Sequence, residues 1–204
     1  MSAVSRKSIT TGLLLAGTLG VIAVIFSQLA GNPSGYEARI EALREQKNLQ
    51  FRNDPDSPIP RAARGSFEGL SYFPVQELYA VTAVFEPDPA PDTLRLMTTQ
   101  GKDYPVIRAG KLRFVLQGIP CTLTAYQYTT PGKNDFFVPF RDLTTGVSTY
   151  GGGRYLDVPQ ADPLVVDFNS AYNPYCVYNA DYVCPLPPSE NKLSLEIAAG
   201  EKGM

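Results

Sequence analysis

The stretch KLRFVLQGIPCTLTAY at residues 111–126 decides the fold. Its first half alternates, so Leu112, Phe114 and Leu116 share one face of an extended chain while the two basic residues take the other face. A second run of the same period begins after a short link at residues 117–120. The pattern predicts two antiparallel strands joined as a hairpin.

The period of two recurs along most of the chain after residue 65. Gly and Pro clusters separate the runs, and no stretch after residue 55 has a helical period. Strands without intervening helices predict an all-β domain, either an antiparallel sandwich or a partly closed barrel. Besides the hairpin, the predicted strands are Tyr79–Phe85, Thr93–Met97, Phe136–Phe140, Leu164–Phe168 and Leu193–Ile197.

One short amphipathic helix is predicted upstream of the strands. Ser34 and Glu37 have the spacing of a capping box. The helix should end by Asn53-Asp54-Pro55, because the residue before a proline is disfavoured in the α region. Residues 32–64 therefore form a capped helix with a Pro-rich linker, and residues 65–204 form the β domain. The apolar stripe that would lie on the domain is Tyr36, Ile40 and Leu43.

The N-terminal segment has the pattern of a membrane anchor. Residues 9–30 carry no charge, and a spanning helix needs ~20 apolar residues. Arg6 and Lys7 precede this stretch, which places the N-terminus on the cytoplasmic side. A cleaved signal peptide is the alternative, but the small-x-small cleavage site is poor. We therefore expect residues 1–31 to be a cytoplasmic tip and signal-anchor helix in the inner or cytoplasmic membrane, with the domain in the periplasm or cell exterior.

Composition excludes several classes of function. The chain has 18 Lys+Arg and 20 Asp+Glu, and this balance argues against nucleic-acid binding. It has no histidine, which excludes Ser-His-Asp and Cys-His catalysis and histidine-ligated metals. Without Arg6 and Lys7, the exported part carries 16 basic and 20 acidic groups, so only the anchor attaches it to the membrane. No metal and no cofactor are predicted.

The candidate binding site lies where glycine, arginine, asparagine and tyrosine cluster. Three consecutive glycines before Arg154 let backbone N–H groups approach an anion beside a cation, although a tight turn or bulge explains the same residues. Six tyrosines between residues 150 and 182 suit a stacking and hydrogen-bonding surface. The predicted ligand-binding residues are Gly151, Gly152, Gly153, Arg154, Tyr155, Asp167, Asn169 and Asn173.

Three functions remain open. The leading hypothesis is a non-enzymatic ligand-binding or interaction module whose partner is a small polar ligand or an envelope protein. The first alternative is a hydrolase that uses two carboxylates from Asp157, Asp167 and Glu196, although isolated acids at strand ends are usually solvated or paired. The second alternative is a structural accessory subunit of a membrane assembly.

The three cysteines divide into a pair and a single residue. Cys176 and Cys184 are separated by seven residues, and in an exported domain this spacing predicts a disulfide. The C-x-x-C spacing of a redox pair is missing. Cys121 lies on an apolar, alternating strand, which predicts a buried free thiol.

Five sequence blocks occur in a fixed order along the chain, with residues 70–74 upstream: residues 137–142, 150–157, 167–176, 184–191 and 199–202. Together these blocks resemble the prokaryotic family catalogued as domain of unknown function 1684. The resemblance covers roughly residues 36–202, which is nearly everything outside the predicted anchor segment. It implies an exported or membrane-attached protein with a β-rich domain, and it implies no particular activity.

Overall fold

The structure is a computed structural model that describes residues 35–203. The anchor predicted at residues 9–30 lies outside the described residues, and so does Ser34 of the capping box. Over the described part of the chain, no helix combines the length and the apolar character needed to cross a membrane.

The regular structure of residues 35–203 consists of eight strands, one α-helix, α1 (Gly35–Asn53), and five short 3-10 helices. The 3-10 helices are Arg61–Ser66, Glu77–Tyr79, Phe168–Ser170, Tyr175–Val177 and Ser189–Asn191. The strands are β1 (Ala80–Thr82), β2 (Val84–Pro87), β3 (Thr93–Met97), β4 (Asp103–Leu116), β5 (Ile119–Tyr128), β6 (Phe136–Phe140), β7 (Arg154–Val158) and β8 (Val165–Asp167). Six of them form one sheet in the order β2-β4-β5-β6-β7, with β3 beside the first half of β4. β1 and β8 form a second sheet. Every strand pair is antiparallel, so the predicted all-β, antiparallel class is confirmed.

The hairpin predicted at residues 111–126 is confirmed as β4 and β5. Its ladder runs so close to the turn that only Gln117 and Gly118 lie between the strands. Both residues have positive φ, at 51° and 78°. Two-residue turns of this kind match the right-handed twist of paired strands. Pairing of β6 to β5 and of β7 to β6 then extends the sheet in chain order.

Two of the predicted strands are wrong. The run Tyr79–Phe85 is broken at Ala83, because β1 pairs with β8 while β2 pairs with β4. The run Leu193–Ile197 is not a strand, although Leu193, Leu195 and Ile197 are buried as its alternation indicates. The Leu143 N–H and the Arg154 guanidinium donate to the carbonyls of Leu195 and Ile197, so these carbonyls do not enter a strand ladder. Alternation here reports burial and not sheet pairing.

Helix α1 ends at Asn53, as predicted, and lies on the β domain. Its buried residues are Ile40, Arg44 and Phe51, whereas Leu43 is 48% exposed. The predicted apolar stripe was therefore right at Ile40 and wrong at Leu43. The buried face includes a charged side chain because Arg44 donates to the Phe73 carbonyl at 3.0 Å.

The buried side chains form two clusters. The larger is the apolar core, which includes Leu112, Leu123, Val138 and Phe168 and is enclosed by the hairpin and by the C-terminal segment. The smaller is rich in aromatic residues and lies towards one end of the sheet. Its buried members are Leu96, Val106, Tyr126, Phe137, Tyr155 and Cys184.

Candidate functional site

A cleft of about 380 Å³ opens beside the aromatic cluster. This volume lies in the range of small-molecule sites, ~300–1,000 Å³. We call it the tyrosine cleft, because its walls carry the rings of Tyr104, Tyr128, Tyr155, Tyr172, Tyr175 and Tyr182. Asp157, Lys47, Lys133 and Cys184 also line it.

Asp157 is the carboxylate of the tyrosine cleft. It projects from β7 on the exposed side of the strand and accepts hydrogen bonds from the Tyr128 hydroxyl at 2.7 Å and the Tyr172 hydroxyl at 2.8 Å. Burial raises the pKa of both tyrosines, and the Asp157 charge raises each further. Both hydroxyls therefore stay protonated and hold the carboxylate in one orientation.

The rings interlock edge to face. The Tyr155 ring meets the Tyr172 ring at 89° with centroids 5.7 Å apart, and it meets Phe137 at 4.9 Å. Tyr175 and Tyr182 meet at 89° and 5.4 Å. Edge-to-face contacts of this kind add about 0.5–1.5 kcal/mol to area burial. The wall of the cleft is therefore preorganised by its own ring contacts.

Two lysine ammonium groups lie over rings of the cleft. Lys133 Nζ is 4.3 Å from the centroid of the Tyr128 ring, and Lys47 Nζ is 4.6 Å from that of Tyr172. Lys47 also forms an ion pair with Glu201 at 2.5 Å. The two tyrosines that donate to Asp157 thus each present a face to a cation.

Glu201 is a buried carboxylate that binds Lys47 of the cleft, and it was not among the predicted site residues. Besides the ion pair with Lys47, it accepts from the Asn173 N–H at 2.8 Å and the Tyr178 hydroxyl at 2.6 Å. Its side chain is 1% exposed. It neutralises Lys47 and fixes that ammonium beside the Tyr172 ring.

Arg154 does not face the cleft. Its side chain is 1% exposed and pairs with Asp142 at 2.9 Å. Its two terminal nitrogens also donate to the carbonyls of Ile197, Ala199 and Glu201 in the C-terminal segment. Burial lowers its pKa, and the Asp142 charge opposes that effect. The guanidinium is therefore buried and bound by groups of the protein itself through Nη1 and Nη2, while its Nε has no hydrogen-bond partner.

Asp167 and Asn169 hold helix α1 against the domain. The Tyr36 hydroxyl donates to Asp167 at 2.8 Å, and Asn169 Nδ2 donates to the same hydroxyl at 2.9 Å. Asn169 also exchanges two hydrogen bonds with the Gln76 backbone. Asn173 belongs instead to the Glu201 cluster. The structure brings Asp167 and Asn169 together and leaves them apart from Arg154.

The three glycines form a turn that leads into β7. Gly153 has φ of 93°, and a Cβ there would come within 2.7 Å of the Phe140 carbonyl oxygen. Gly151 has no such constraint. This segment is therefore the tight turn that the sequence left open as an alternative to an anion-binding loop. Of the eight predicted ligand-binding residues, Tyr155 is the one that lines the tyrosine cleft.

The three candidate acids have separate surroundings. Asp157 lines the tyrosine cleft, Asp167 binds Tyr36, and Glu196 is exposed on the C-terminal segment. A glycosidase-type site needs two carboxyl groups facing one bond, ~5–10 Å apart. The cleft contains one of the three.

The predicted disulfide is corrected by the structure, in which Cys121, Cys176 and Cys184 are all free thiols. The Cys184 sulfur accepts a hydrogen bond from the Cys176 N–H at 3.2 Å. Burial and the hydrogen bond to the Cys176 side chain raise the pKa of Cys184 to about 12. The spacing of Cys176 and Cys184 correctly predicted that they lie close together, but spacing does not determine whether their sulfurs form a bond. Cys121 is buried, as predicted.

A second, larger groove lies along β2 and β4. It measures about 570 Å³ and is lined mainly by charged residues and prolines, with no aromatic ring. Three of its five charged residues are in ion pairs, since Asp88 pairs with Arg108 and Glu86 with Arg113. Within residues 35–203 there is also no cluster of three acids or cysteines that could hold a metal ion. The tyrosine cleft is therefore the better candidate.

The fold and the cleft define a small antiparallel β domain with an aromatic cleft at one end of its sheet. The chain belongs to the protein family of unknown function DUF1684, whose sequence profile matches residues 65–202. It is similar to the solution NMR structure of an uncharacterized protein of Haloarcula marismortui, with a TM-score of 0.65 and 35% identity over 82% of this chain and 94% of that chain. Among curated proteins, none matches the chain.

Proposed function

We propose that the domain is a non-enzymatic module that binds a small organic ligand in the tyrosine cleft. The observation that carries the proposal is the Asp157 carboxylate, held by the hydroxyls of Tyr128 and Tyr172 within a cleft of about 380 Å³. Concave, aromatic sites with one or two fixed polar groups are typical of ligand binding. The rings pack against the body of the ligand, and Asp157 orients its donor group.

The chemistry of the cleft favours binding over catalysis. Burial raises the pKa values of Tyr104, Tyr128 and Tyr172, so these hydroxyls remain neutral donors. The Cys184 thiol, with its pKa raised to about 12, is protonated at neutral pH and is a poor nucleophile. A single carboxylate without a partner acid lacks the second group that two-carboxylate hydrolysis requires.

A ligand screen against the full-length chain tests the binding proposal. We expect saturation-transfer NMR to find small aromatic or cyclic ligands that bind the unmodified chain and lose binding to Val183→Phe, which places a ring in the cleft. The matched control is Val147→Phe, at a position that is 86% exposed. Ligands that bind all three proteins equally would refute the cleft as the site.

We also propose that the domain is displayed outside the cytoplasmic membrane and tethered by residues 9–30. The uncharged stretch and the preceding Arg6 and Lys7 support this orientation. The expected result is that the full chain sediments with membranes and is digested by protease added to spheroplasts. A chain found in the soluble cytoplasmic fraction would contradict the proposal.

A structural accessory role in a membrane assembly is the competing function. It requires a stable protein partner, and it gives no reason for an open aromatic cleft. Co-purification of the full chain with an envelope protein at fixed stoichiometry, together with no ligand from the screen, would favour that role.

A further inference from the structure

We infer that the ligand of the tyrosine cleft is an organic cation, whose substituted ammonium group lies over the Tyr128 ring beside Asp157. This inference rests on the proposed binding function and names the chemical class of its ligand. Three features of the cleft carry it: the charge of Asp157, the rings of Tyr128 and Tyr172, and the lysine ammonium groups that lie over those rings.

Asp157 has no cationic partner among the described residues. Its hydrogen bonds come from two neutral hydroxyls, and none of the ion pairs between residues 35 and 203 includes it. Lys47, the lysine of helix α1, is neutralised by Glu201. Within residues 35–203 the carboxylate therefore forms no ion pair, and it lies at an aromatic wall, where a negative charge is the electrostatic complement of a cation.

The ring faces already bind ammonium groups of the protein. Lys133 lies over Tyr128 at 4.3 Å and Lys47 over Tyr172 at 4.6 Å, both within the ~6 Å of an effective cation–π contact. These are the two rings whose hydroxyls donate to Asp157. An ammonium group at this place gains a ring face and the neighbouring carboxylate together.

Lys133 is the occupant that a ligand can replace. It is exposed and belongs to the loop between β5 and β6, and none of the ion pairs among residues 35–203 includes it. Lys47, in contrast, is held by the buried Glu201. A ligand ammonium therefore takes the place of Lys133 over Tyr128, while Lys47 remains over Tyr172.

A comparison of two ligands of the same shape tests the inference. Choline has a charged nitrogen at the position where 3,3-dimethylbutan-1-ol has a neutral carbon. Binding to the full-length chain in maltoside detergent is followed by calorimetry and by tyrosine emission, because the chain has 12 tyrosines and no tryptophan. We expect choline to bind roughly tenfold more tightly than the neutral alcohol.

Three variants locate the effect. Asp157→Asn should weaken choline binding roughly tenfold and leave the alcohol unchanged, since it removes the charge and keeps the shape. The matched control Glu196→Gln removes an exposed carboxylate outside the cleft and should change neither affinity. Lys133→Gln should strengthen choline binding several-fold, because it removes the competing ammonium.

Equal affinities for choline and the alcohol would overturn the inference, and so would failure of choline to bind. Retention of full choline affinity in Asp157→Asn would overturn it as well. In each case the screen with Val183→Phe decides separately whether the cleft binds ligands at all. A cleft that takes neutral ligands keeps the proposed function and loses only the cationic class.

Discussion

At the scale of single residues, Arg154 organises the end of the chain from inside the domain. Its guanidinium joins Asp142 to three carbonyls of the C-terminal segment, and its other side faces the Phe140 ring at 5.3 Å. The sequence showed an arginine after three glycines and predicted a ligand contact. Neither Asp142 nor the carbonyls are visible as partners in sequence, because they are brought in by folding.

Loss of Arg154 should strongly destabilise the domain. We expect Arg154→Met to lower the free energy of unfolding by about 3–5 kcal/mol, since it leaves the Asp142 carboxylate buried without a counter-ion. Urea denaturation measures the change. The control Arg95→Met breaks an exposed pair with Asp103 and should cost at most about 1 kcal/mol. Similar, small losses in both variants would show that the buried pair is not needed.

The glycine triplet has one position that requires glycine for its backbone. Gly153→Ala should cost more than about 1 kcal/mol of unfolding free energy, because φ is 93° and the new Cβ would meet the Phe140 carbonyl oxygen at 2.7 Å. Gly151→Ala is the matched control, since the nearest atom to its new Cβ is 3.8 Å away. Thermal melting of both variants compares them. Equal melting temperatures would contradict the turn geometry.

At the scale of elements, the predictions were correct where residues adjacent in sequence determine the structure. The hairpin and the end of α1 before Pro55 follow from alternation, from turn geometry and from the proline effect. The Leu193–Ile197 segment does not follow, because the Arg154 side chain captures the Ile197 carbonyl. The prediction of the buried face of α1 was also partly wrong, because the buried residues include Arg44 and Phe51.

The docking of α1 depends on Phe51. Its ring is 1% exposed and meets the rings of Tyr175 and Tyr178 edge to face. Phe51→Ala should lower the free energy of unfolding by about 3–5 kcal/mol. Leu43→Ala, at a half-exposed position of the same helix, should change it by no more than about 0.5 kcal/mol. Chemical denaturation gives both values, and a Phe51→Ala loss as small as that of Leu43→Ala would place α1 elsewhere.

At the scale of the whole molecule, the tyrosine cleft is assembled from remote parts of the chain. The tyrosines between residues 150 and 182 were predicted as a stacking surface, and three of them line the cleft walls with Tyr155. Lys47, Tyr104 and Tyr128 come from α1, β4 and β5, and no local pattern marks them. Their place follows from the sheet order, which the sequence does not specify.

The buried tyrosines should make the protein lose stability at alkaline pH. An unfolded tyrosine ionises near pH 10, whereas burial and the Asp157 charge raise the pKa of Tyr128 and Tyr172 above that value. Above about pH 10 the unfolded chain therefore releases protons that the folded chain keeps, and stability falls as pH rises. Below that pH these tyrosines contribute no pH dependence.

Urea midpoints between about pH 9 and pH 11 measure this dependence, with tyrosinate absorbance as the probe of ionisation. Tyr128→Phe combined with Tyr172→Phe should flatten the slope, which separates these tyrosines from the lysines and cysteines that titrate nearby. An unchanged slope in the double variant would show that the two hydroxyls are not protected in the folded protein.

The most direct measurement of the central claim is a crystal structure of the full chain with the tightest ligand from the screen. We predict ligand density between the Tyr128 and Tyr172 rings, with a donor or cationic group within ~3.2 Å of the Asp157 carboxylate, or ~4 Å for a quaternary nitrogen. Density in the groove of Asp88 and Arg108, with the tyrosine cleft empty, would contradict the claim.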